Sequence, residues 1–405
     1  MTRPRSSRLL IILILGALST VSPFSVDMYL PAFPQIARAL GTTPAEISLS
    51  VSGYFIGLAL GQFFYGPLLD RFGRKKPLYA GLSLFVLASL GCLAAHSPGL
   101  FIAFRLLQAV GGCAAQVGAV TMVRDFFPVE ESAKILSLLV LVLSVSPLFA
   151  PSIGGFIAAT AGWQWIFVVL AAFALMVMAA IAGLLPEGNE PDPDISLRPG
   201  AILAGFLKVI RQPQFYTYAV GGSFSFAGLF VYVTGSPIIF IGTFHLDPQA
   251  YGLIFAALGL TFISGSQLNV WLSHRQQSRK IFAAALICQT VIVSIIVLGT
   301  WLGWHGLAAN VILLMLYLPF CGLAFPNAAA IALAPFSKNV GSAAALLGFL
   351  QMGTGALAST GVGLLHSSDS LPIYAVMAGT AITGLVILLA NQKQARSHAD
   401  VEIAA

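Results

Sequence analysis

Uninterrupted apolar segments of about 20 residues recur along the whole chain, and an α-helix needs that length to cross the hydrocarbon core of a bilayer. Only 8% of the 405 residues are charged, whereas a soluble domain carries about 25%. A soluble globule of this length could not cover its surface with so few charges. The chain is therefore predicted to be an all-α membrane protein with twelve spans, at residues 9–30, 47–69, 77–95, 99–122, 135–158, 163–185, 214–240, 250–272, 280–301, 307–330, 343–364 and 372–391.

One long polar stretch, residues 186–213, divides these spans into two sets of six. It is rich in acidic residues and proline, a composition typical of a linker that cannot form a packed core. We predict a first six-helix half at 1–185, a second at 214–392 and a polar tail at 393–405.

The two halves resemble each other in detail, which predicts an internal duplication and pseudo-symmetry. The loop after the second span aligns with the loop after the eighth, so that Arg71 matches Arg275 and Lys76 matches Lys280, at an offset of 204 residues (275 − 71). Two six-helix halves are the architecture of many secondary transporters, whose substrate sites lie near the bilayer midplane between the halves.

Basic residues predict the orientation of the helices. With a cytoplasmic N-terminus, every Lys and Arg except Arg38 and Arg105 falls on the cytoplasmic side or in the tail. This asymmetry follows the positive-inside rule and predicts that both termini are cytoplasmic. It also accounts for the net charge of +6, so no nucleic-acid partner is predicted. The first span is too long for a cleavable signal sequence and is expected to remain as a helix.

Two ionisable residues lie inside the predicted spans, Asp27 on the first and Arg105 on the fourth. A charge at the bilayer centre costs about 2.5–3.5 kcal/mol on insertion scales, so such residues are candidates for function. Asp27 is predicted to carry protons, because a carboxyl group changes its proton affinity when it moves between apolar and wet surroundings. Arg105 keeps its charge and is predicted either to hold Asp27 ionised or to bind polar groups of a substrate. The alternative is a purely structural pair in which the two charges neutralise each other.

Other classes of function lack the residues that they need. The embedded cysteines, Cys92, Cys113, Cys288 and Cys321, have no metal-ligand spacing and are predicted to be buried apolar residues, with neither a metal nor a disulfide. No embedded histidine or lysine is present for catalysis, and no GxxxxGK loop for ATP. The sequence therefore predicts a transporter without a cofactor, driven by an ion gradient. Protons are the leading candidate, and sodium stays open.

Several motifs resemble those of one transporter family. The loop Gly66-Pro-Leu-Leu-Asp-Arg-Phe-Gly-Arg-Lys-Lys76 and the segment Asp27-Met-Tyr-Leu-Pro-Ala32 are similar to the major facilitator superfamily and, within it, to the Bcr/CflA group of drug:proton antiporters. Arg105-Leu-Leu-Gln108 resembles the antiporter motif of the fourth span, with alanine in place of the next glycine. The fifth span resembles the antiporter signature, again with alanine for its first glycine, and its candidate residues are Pro147, Pro151, Gly154 and Gly155.

This resemblance implies a proton-coupled exporter of small apolar or amphipathic drugs, such as chloramphenicol-like or bicyclomycin-like compounds, that works as a monomer in the bacterial inner membrane. It also implies an inner gate in which Arg74 pairs with Asp125 at the cytoplasmic end of the fourth span. The candidate gate residues are Gly66, Asp70, Arg71, Gly73, Arg74 and Asp125.

Polar and aromatic residues on the inner spans are the candidates for substrate contact, because an aromatic, lightly polar pocket suits amphipathic small molecules. They are Tyr54, Phe55, Gln62, Gln108, Phe230, Tyr232 and Gln351. Helix packing is an equally good explanation for each of them. A proton-coupled exporter of a metabolite or an amino acid is the alternative function, and a membrane-embedded enzyme or sensor is a more distant one.

Overall fold

The computed structural model describes residues 5–188, 191–193, 199–303, 306–336, 340–365 and 369–403. These residues form α1 (Arg5–Asp27), α2 (Phe33–Ala39), α3 (Pro44–Arg71), α4 (Lys75–Leu93), α5 (Pro98–Phe126), α6 (Val129–Thr160), α7 (Gln164–Leu184), α8 (Pro199–Ile210), α9 (Pro213–Phe215), α10 (Gly221–Pro237), α11 (Pro248–Ser273), α12 (Ser278–Trp301), α13 (Leu307–Leu333), α14 (Val340–Leu364) and α15 (Leu371–Ile403).

The helices confirm the predicted all-α membrane fold. Eleven helical segments of the described chain are long and apolar enough to cross a membrane. The 32-residue helix α6 occupies the position of the predicted fifth span and brings the helices to the expected twelve. The seventh span combines α9 and α10 with π-helical turns at Tyr216–Val220 and Ile238–Thr243.

Local sequence signals set the helix starts. Thr43 and Ser97 are N-caps whose side-chain oxygens accept hydrogen bonds from the backbone N–H groups of Glu46 (3.2 Å) and Leu100 (3.3 Å). A proline follows each cap, at the first helical position, where its missing N–H costs nothing.

Three parts of the chain differ from the predicted boundaries. The first predicted span is interrupted after Asp27, and a short 3₁₀ turn, Leu30–Ala32, leads into α2. Proline at position 31 explains this, because it lacks an N–H and disfavours α-helical geometry in the residue before it. The predicted linker contains α8, whose Phe206 and Val209 are buried, so this stretch does pack. Helix α15 continues through most of the predicted tail.

The chain forms two compact units. Of the described residues, unit one comprises those up to residue 193 together with Pro248–Ala256, and unit two comprises residues 199–247 together with those from Ala257 onward. The boundary falls inside the predicted linker, but the first turns of α11 group with unit one.

Small residues allow close helix contacts in both units. In unit one, α3 lies against α5, and a Cβ atom added at Gly61 would lie 2.5 Å from the Cβ of Cys113. In unit two, α11 lies against α13, and a Cβ atom added at Gly265 would overlap the backbone of Pro319. Such seams let helix backbones approach closely, as they do in many membrane proteins.

Candidate functional site

Arg105, on α5, is completely buried and is the centre of a polar cluster in unit one. Its Nη1 donates to the hydroxyl of Ser25 at 2.7 Å, and its Nη2 donates to the backbone carbonyl of Ser25 at 2.8 Å. The guanidinium carbon lies 4.1 Å from the ring centre of Tyr29 and 4.4 Å from that of Tyr54. Arg105 is thus enclosed by two aromatic faces, which attract a cation, and is attached to the end of α1.

The end of α1 is a suitable partner for a positive charge. Helix α1 stops at Asp27, so its last carbonyl groups lack the usual intrahelical donors and carry the negative end of the helix dipole. Arg105 donates to one of them, the Ser25 carbonyl. The charge of Arg105 is therefore offset by the interruption of α1 and does not require a carboxylate.

Asp27 lies at the end of α1 and is 6% exposed. Within the residues that the structure describes, its side chain forms no hydrogen bond and no ion pair. The structural pair in which Asp27 and Arg105 neutralise each other is therefore absent from this part of the chain. Asp27 is a buried carboxyl group whose protonation state no fixed partner holds.

Gln108 and Tyr54, two of the predicted substrate contacts, lie against Arg105. Gln108 is completely buried, accepts from Arg105 through its side-chain oxygen and donates to the hydroxyl of Ser89 at 2.6 Å. Tyr54 is equally buried and shares a hydrogen bond of 2.9 Å with the hydroxyl of Ser22. Both side chains hold Arg105 in place rather than lining an open surface.

The other predicted substrate contacts are divided between the two units. Phe55 is buried and Gln62 is partly exposed on α3 of unit one. In unit two, Phe230 and Tyr232 are buried on α10, and Gln351 is partly exposed on α14. The ring of Phe230 fits against Gly355, where a Cβ atom would collide with it.

Helix α6 reaches the same interruption of α1. A Cβ atom added at Gly154 would collide with the backbone carbonyl of Met28, the residue after Asp27, and one at Gly155 would lie 2.9 Å from the carbonyl oxygen of Pro248. Pro147 and Pro151 lie inside the same helix. The structure thus brings the predicted antiporter helix next to Asp27, a contact that the sequence analysis did not predict.

The predicted gate residues form an ion-pair triad, here defined as Asp70, Arg74 and Asp125. Arg74 is 5% exposed. Its Nε donates to one oxygen of Asp125 at 2.6 Å, its Nη2 donates to the other at 3.1 Å, and its Nη1 donates to Asp70 at 2.6 Å. Burial alone would lower the pKa of Arg74, but the hydrogen bonds to the two carboxylates outweigh it and raise that pKa. Arg74 therefore keeps its charge.

The remaining gate candidates have other surroundings. Gly73 has a backbone φ of +79°, a left-handed conformation that glycine adopts without strain, and it forms the turn that places Arg74. The guanidinium of Arg71 lies 5.8 Å from the ring centre of Phe72. A Cβ atom added at Gly66 would meet nothing within 4 Å.

The ring centre of Phe167 lies 5.8 Å from the guanidinium carbon of Arg105. The sequence analysis missed this residue and Ser22, Ser25, Tyr29 and Ser89 as parts of the Arg105 cluster. The spacing of Ser22 and Ser25, three residues apart on α1, was a usable signal, because such residues share one helix face. Tyr29 lies two residues past the end of this helix. Nothing local to Ser89 or Phe167 points to Arg105. Among the described residues, no group of three or more His, Cys, Asp or Glu could hold a metal ion.

The family follows from comparison with known proteins. The sequence model of the Major Facilitator Superfamily matches residues 15–360, well over half of the chain. The chain belongs to this superfamily. The transporter is 32% identical over 390 residues to the MFS-type transporter YdgK of Bacillus subtilis, covering 96% of each chain. It is 30% identical over 391 residues to a bicyclomycin resistance protein homolog of Haemophilus influenzae, covering 94% of the transporter and 96% of the relative.

The fold of the transporter is similar to that of another transporter whose crystal structure is known. The crystal structure of a D-xylose-proton symporter superposes with a TM-score of 0.74 over 94% of the transporter and 96% of the symporter, at 15% sequence identity. The transporter is a multi-pass membrane protein with bacterial relatives.

Proposed function

We propose that the transporter exports small apolar or amphipathic compounds of the drug class in exchange for protons, with Asp27 as the proton carrier. The observation that carries this proposal is the state of Asp27, a buried carboxyl group without a hydrogen bond or ion pair among the described residues. The relative named as a bicyclomycin resistance protein homolog supports the substrate class.

Asp27 is suited to binding and releasing a proton because no fixed cation holds its charge. Arg105 is engaged with Ser25, Gln108 and two aromatic rings. A proton on Asp27 is therefore controlled by access of water to the end of α1, and a carboxyl group in changing surroundings changes its proton affinity.

Protonation of Asp27 would act on a helix junction. Asp27 ends α1, and the next residue, Met28, presents its carbonyl to Gly154 of α6. Neutralising Asp27 changes the charge at this contact, where α6 has no room for a larger residue. We propose that the contact transmits the protonation state of Asp27 to α6, while Arg105 keeps the end of α1 attached to α5.

The triad is proposed as an inner gate. Its ion pairs lie at the ends of α3 and α5 and at the start of α4, where charged contacts can form in one state and separate in another. With the basic residues on the cytoplasmic side, the triad and both termini face the cytoplasm of a bacterial cell, and one chain is the working unit.

The test compares wild type with Asp27→Asn in an efflux-deficient bacterium, following retention of radiolabelled chloramphenicol and bicyclomycin with and without a protonophore. Asp247→Asn is the matched control, because it makes the same chemical change at an exposed position. We expect wild type and Asp247→Asn to lower retention, the protonophore to abolish this, and Asp27→Asn to fail at equal expression.

Other outcomes would contradict separate parts of the proposal. Normal export by Asp27→Asn would reject Asp27 as the proton carrier. Export that depends on a sodium gradient and survives the protonophore would replace protons by sodium. Failure of the wild type with every drug, but proton-dependent export of a metabolite or an amino acid, would reject the drug class.

A further inference from the structure

The start of the linker lies against the triad. The side chain of Glu187 accepts a hydrogen bond of 3.0 Å from the backbone N–H of Lys75, the first residue of α4. Farther along, the backbone N–H of Asp192 donates to the backbone carbonyl of Asp70 at 3.1 Å. A carboxylate at a helix N-terminus is favoured by the helix dipole. These two contacts hold the linker on either side of the triad.

Between them, Gly188 covers the ion pair itself. A Cβ atom added there would lie 2.5 Å from a carboxylate oxygen of Asp125 and 2.6 Å from Cγ of Arg74. Only a residue without a side chain fits at this distance. The Arg74 and Asp125 side chains are 6% and 13% exposed, and keeping water away from an ion pair strengthens it.

We propose that Glu187, Gly188 and Asp192, here called the linker latch, hold the triad closed and must lift before Arg74 and Asp125 can separate. The linker continues from the latch into unit two, so it couples the triad to that unit through the covalent chain. This inference rests on the inner-gate part of the proposed function. It adds the linker as the element that positions the gate.

The test is limited trypsin digestion of the purified full-length protein in detergent, with cleavage of the Arg74–Lys75 bond followed by mass spectrometry. Cleavage after Arg275, in an exposed loop, is the internal reference, and the readout needs neither transport nor a known orientation. The variants are Gly188→Ala, Glu187→Ala and the milder Glu187→Gln, whose amide oxygen still accepts a hydrogen bond. Gly183→Ala is the matched control, because a Cβ atom there meets nothing within 4 Å.

Relative to the reference site, Glu187→Ala should raise cleavage at Arg74–Lys75 about tenfold, as expected for loss of a charge-assisted contact. Gly188→Ala should raise it to a similar extent, because the added Cβ atom would collide with Asp125 and Arg74 and displace the linker. Glu187→Gln should lie between them and wild type, and Gly183→Ala should match wild type. Drug export by the two alanine variants should fall severalfold at equal expression.

Two results would overturn the inference. Cleavage of Gly188→Ala and Glu187→Ala at the wild-type rate would mean that the linker does not hold the triad. Faster cleavage with unchanged export would mean that the linker covers the triad without controlling it. If the wild type exports nothing, the proposed function fails, while the digestion still decides whether the latch holds the triad.

Discussion

The two units share a packing seam but differ in the polar groups that surround it. Gly61 lies against α5 in unit one and Gly265 lies against α13 in unit two, at an offset of 204 residues (265 − 61), the same as in the duplicated loop. The matching position to Arg105 is close to Asn310, at an offset of 205 residues (310 − 105). Asn310 accepts a hydrogen bond of 2.5 Å from the Tyr374 hydroxyl. The duplicated seam is kept, whereas among the described residues the buried guanidinium is found in unit one alone.

This difference indicates that both units use the seam for packing, whereas unit one alone has the charged group for ion coupling among the described residues. Close backbone contacts serve helix packing in either half, so they persist after a duplication. A buried guanidinium needs specific partners, and unit one supplies them at the end of α1. Near the corresponding position of unit two, the polar side chain is an uncharged amide, Asn310, which is hydrogen-bonded to the Tyr374 hydroxyl. We therefore expect ion coupling to depend on unit one.

The largest effect is expected from replacing the charged centre of unit one. Arg105→Lys keeps the charge, but a lysine ammonium cannot reproduce the planar fork that reaches Ser25 and Gln108, so export should fall about 100-fold or more. Asn310→Ala, next to the matching position, should cost only severalfold. Initial rates of drug transport in membrane vesicles, normalised to the amount of transporter, measure both. Equal losses of export in the two variants would contradict the dependence of ion coupling on unit one.

The next effect concerns the shared seam. Gly61→Val and Gly265→Val should destabilise the fold to a similar extent, by about 1–3 kcal/mol each, because overpacking forces the backbones apart. Gly99→Val and Gly379→Val are controls, since a Cβ atom at either position meets nothing within 4 Å. Thermal unfolding in detergent measures the change. A large loss for one seam variant and none for the other would show that the packing has diverged as well.

The smallest effect is expected from removing a tyrosine hydroxyl group while keeping the aromatic ring. Tyr54→Phe removes the two buried contacts of the Tyr54 hydroxyl with Ser22, and Tyr374→Phe removes the one with Asn310. A buried hydrogen bond in membrane proteins is worth about 0.6 kcal/mol on average. Both variants should lower the melting temperature slightly and keep export.

Removing the rings sharpens this test. Tyr54→Leu takes away a face of the Arg105 enclosure and should impair export, whereas Tyr374→Leu should not. Export that survives Tyr54→Leu would show that the aromatic enclosure is dispensable. These variants are scored by the same vesicle transport assay and by thermal unfolding.

Much of the fold could be predicted from the sequence, because membrane spans are set by local length and hydropathy. Asp27, Arg105 and the Arg74–Asp125 pair were also identifiable, the first two as embedded charges and the last by resemblance. Helix α8 was not predicted, because the whole linker was interpreted from the composition of its acidic and proline-rich start. The interruption after Asp27 was missed because the apolar run continues through it.

The sequence by itself determined which residues are charged inside the membrane and how many helices surround them, because both depend only on composition along a continuous segment. The tertiary structure alone decided what those charges contact. Arg105 and Ser25 are 80 residues apart. Asp27, in contrast, has no hydrogen-bond or ion-pair partner among the described residues. Contacts of this kind depend on which helix faces meet and where a helix ends, and neither property is encoded in a single span.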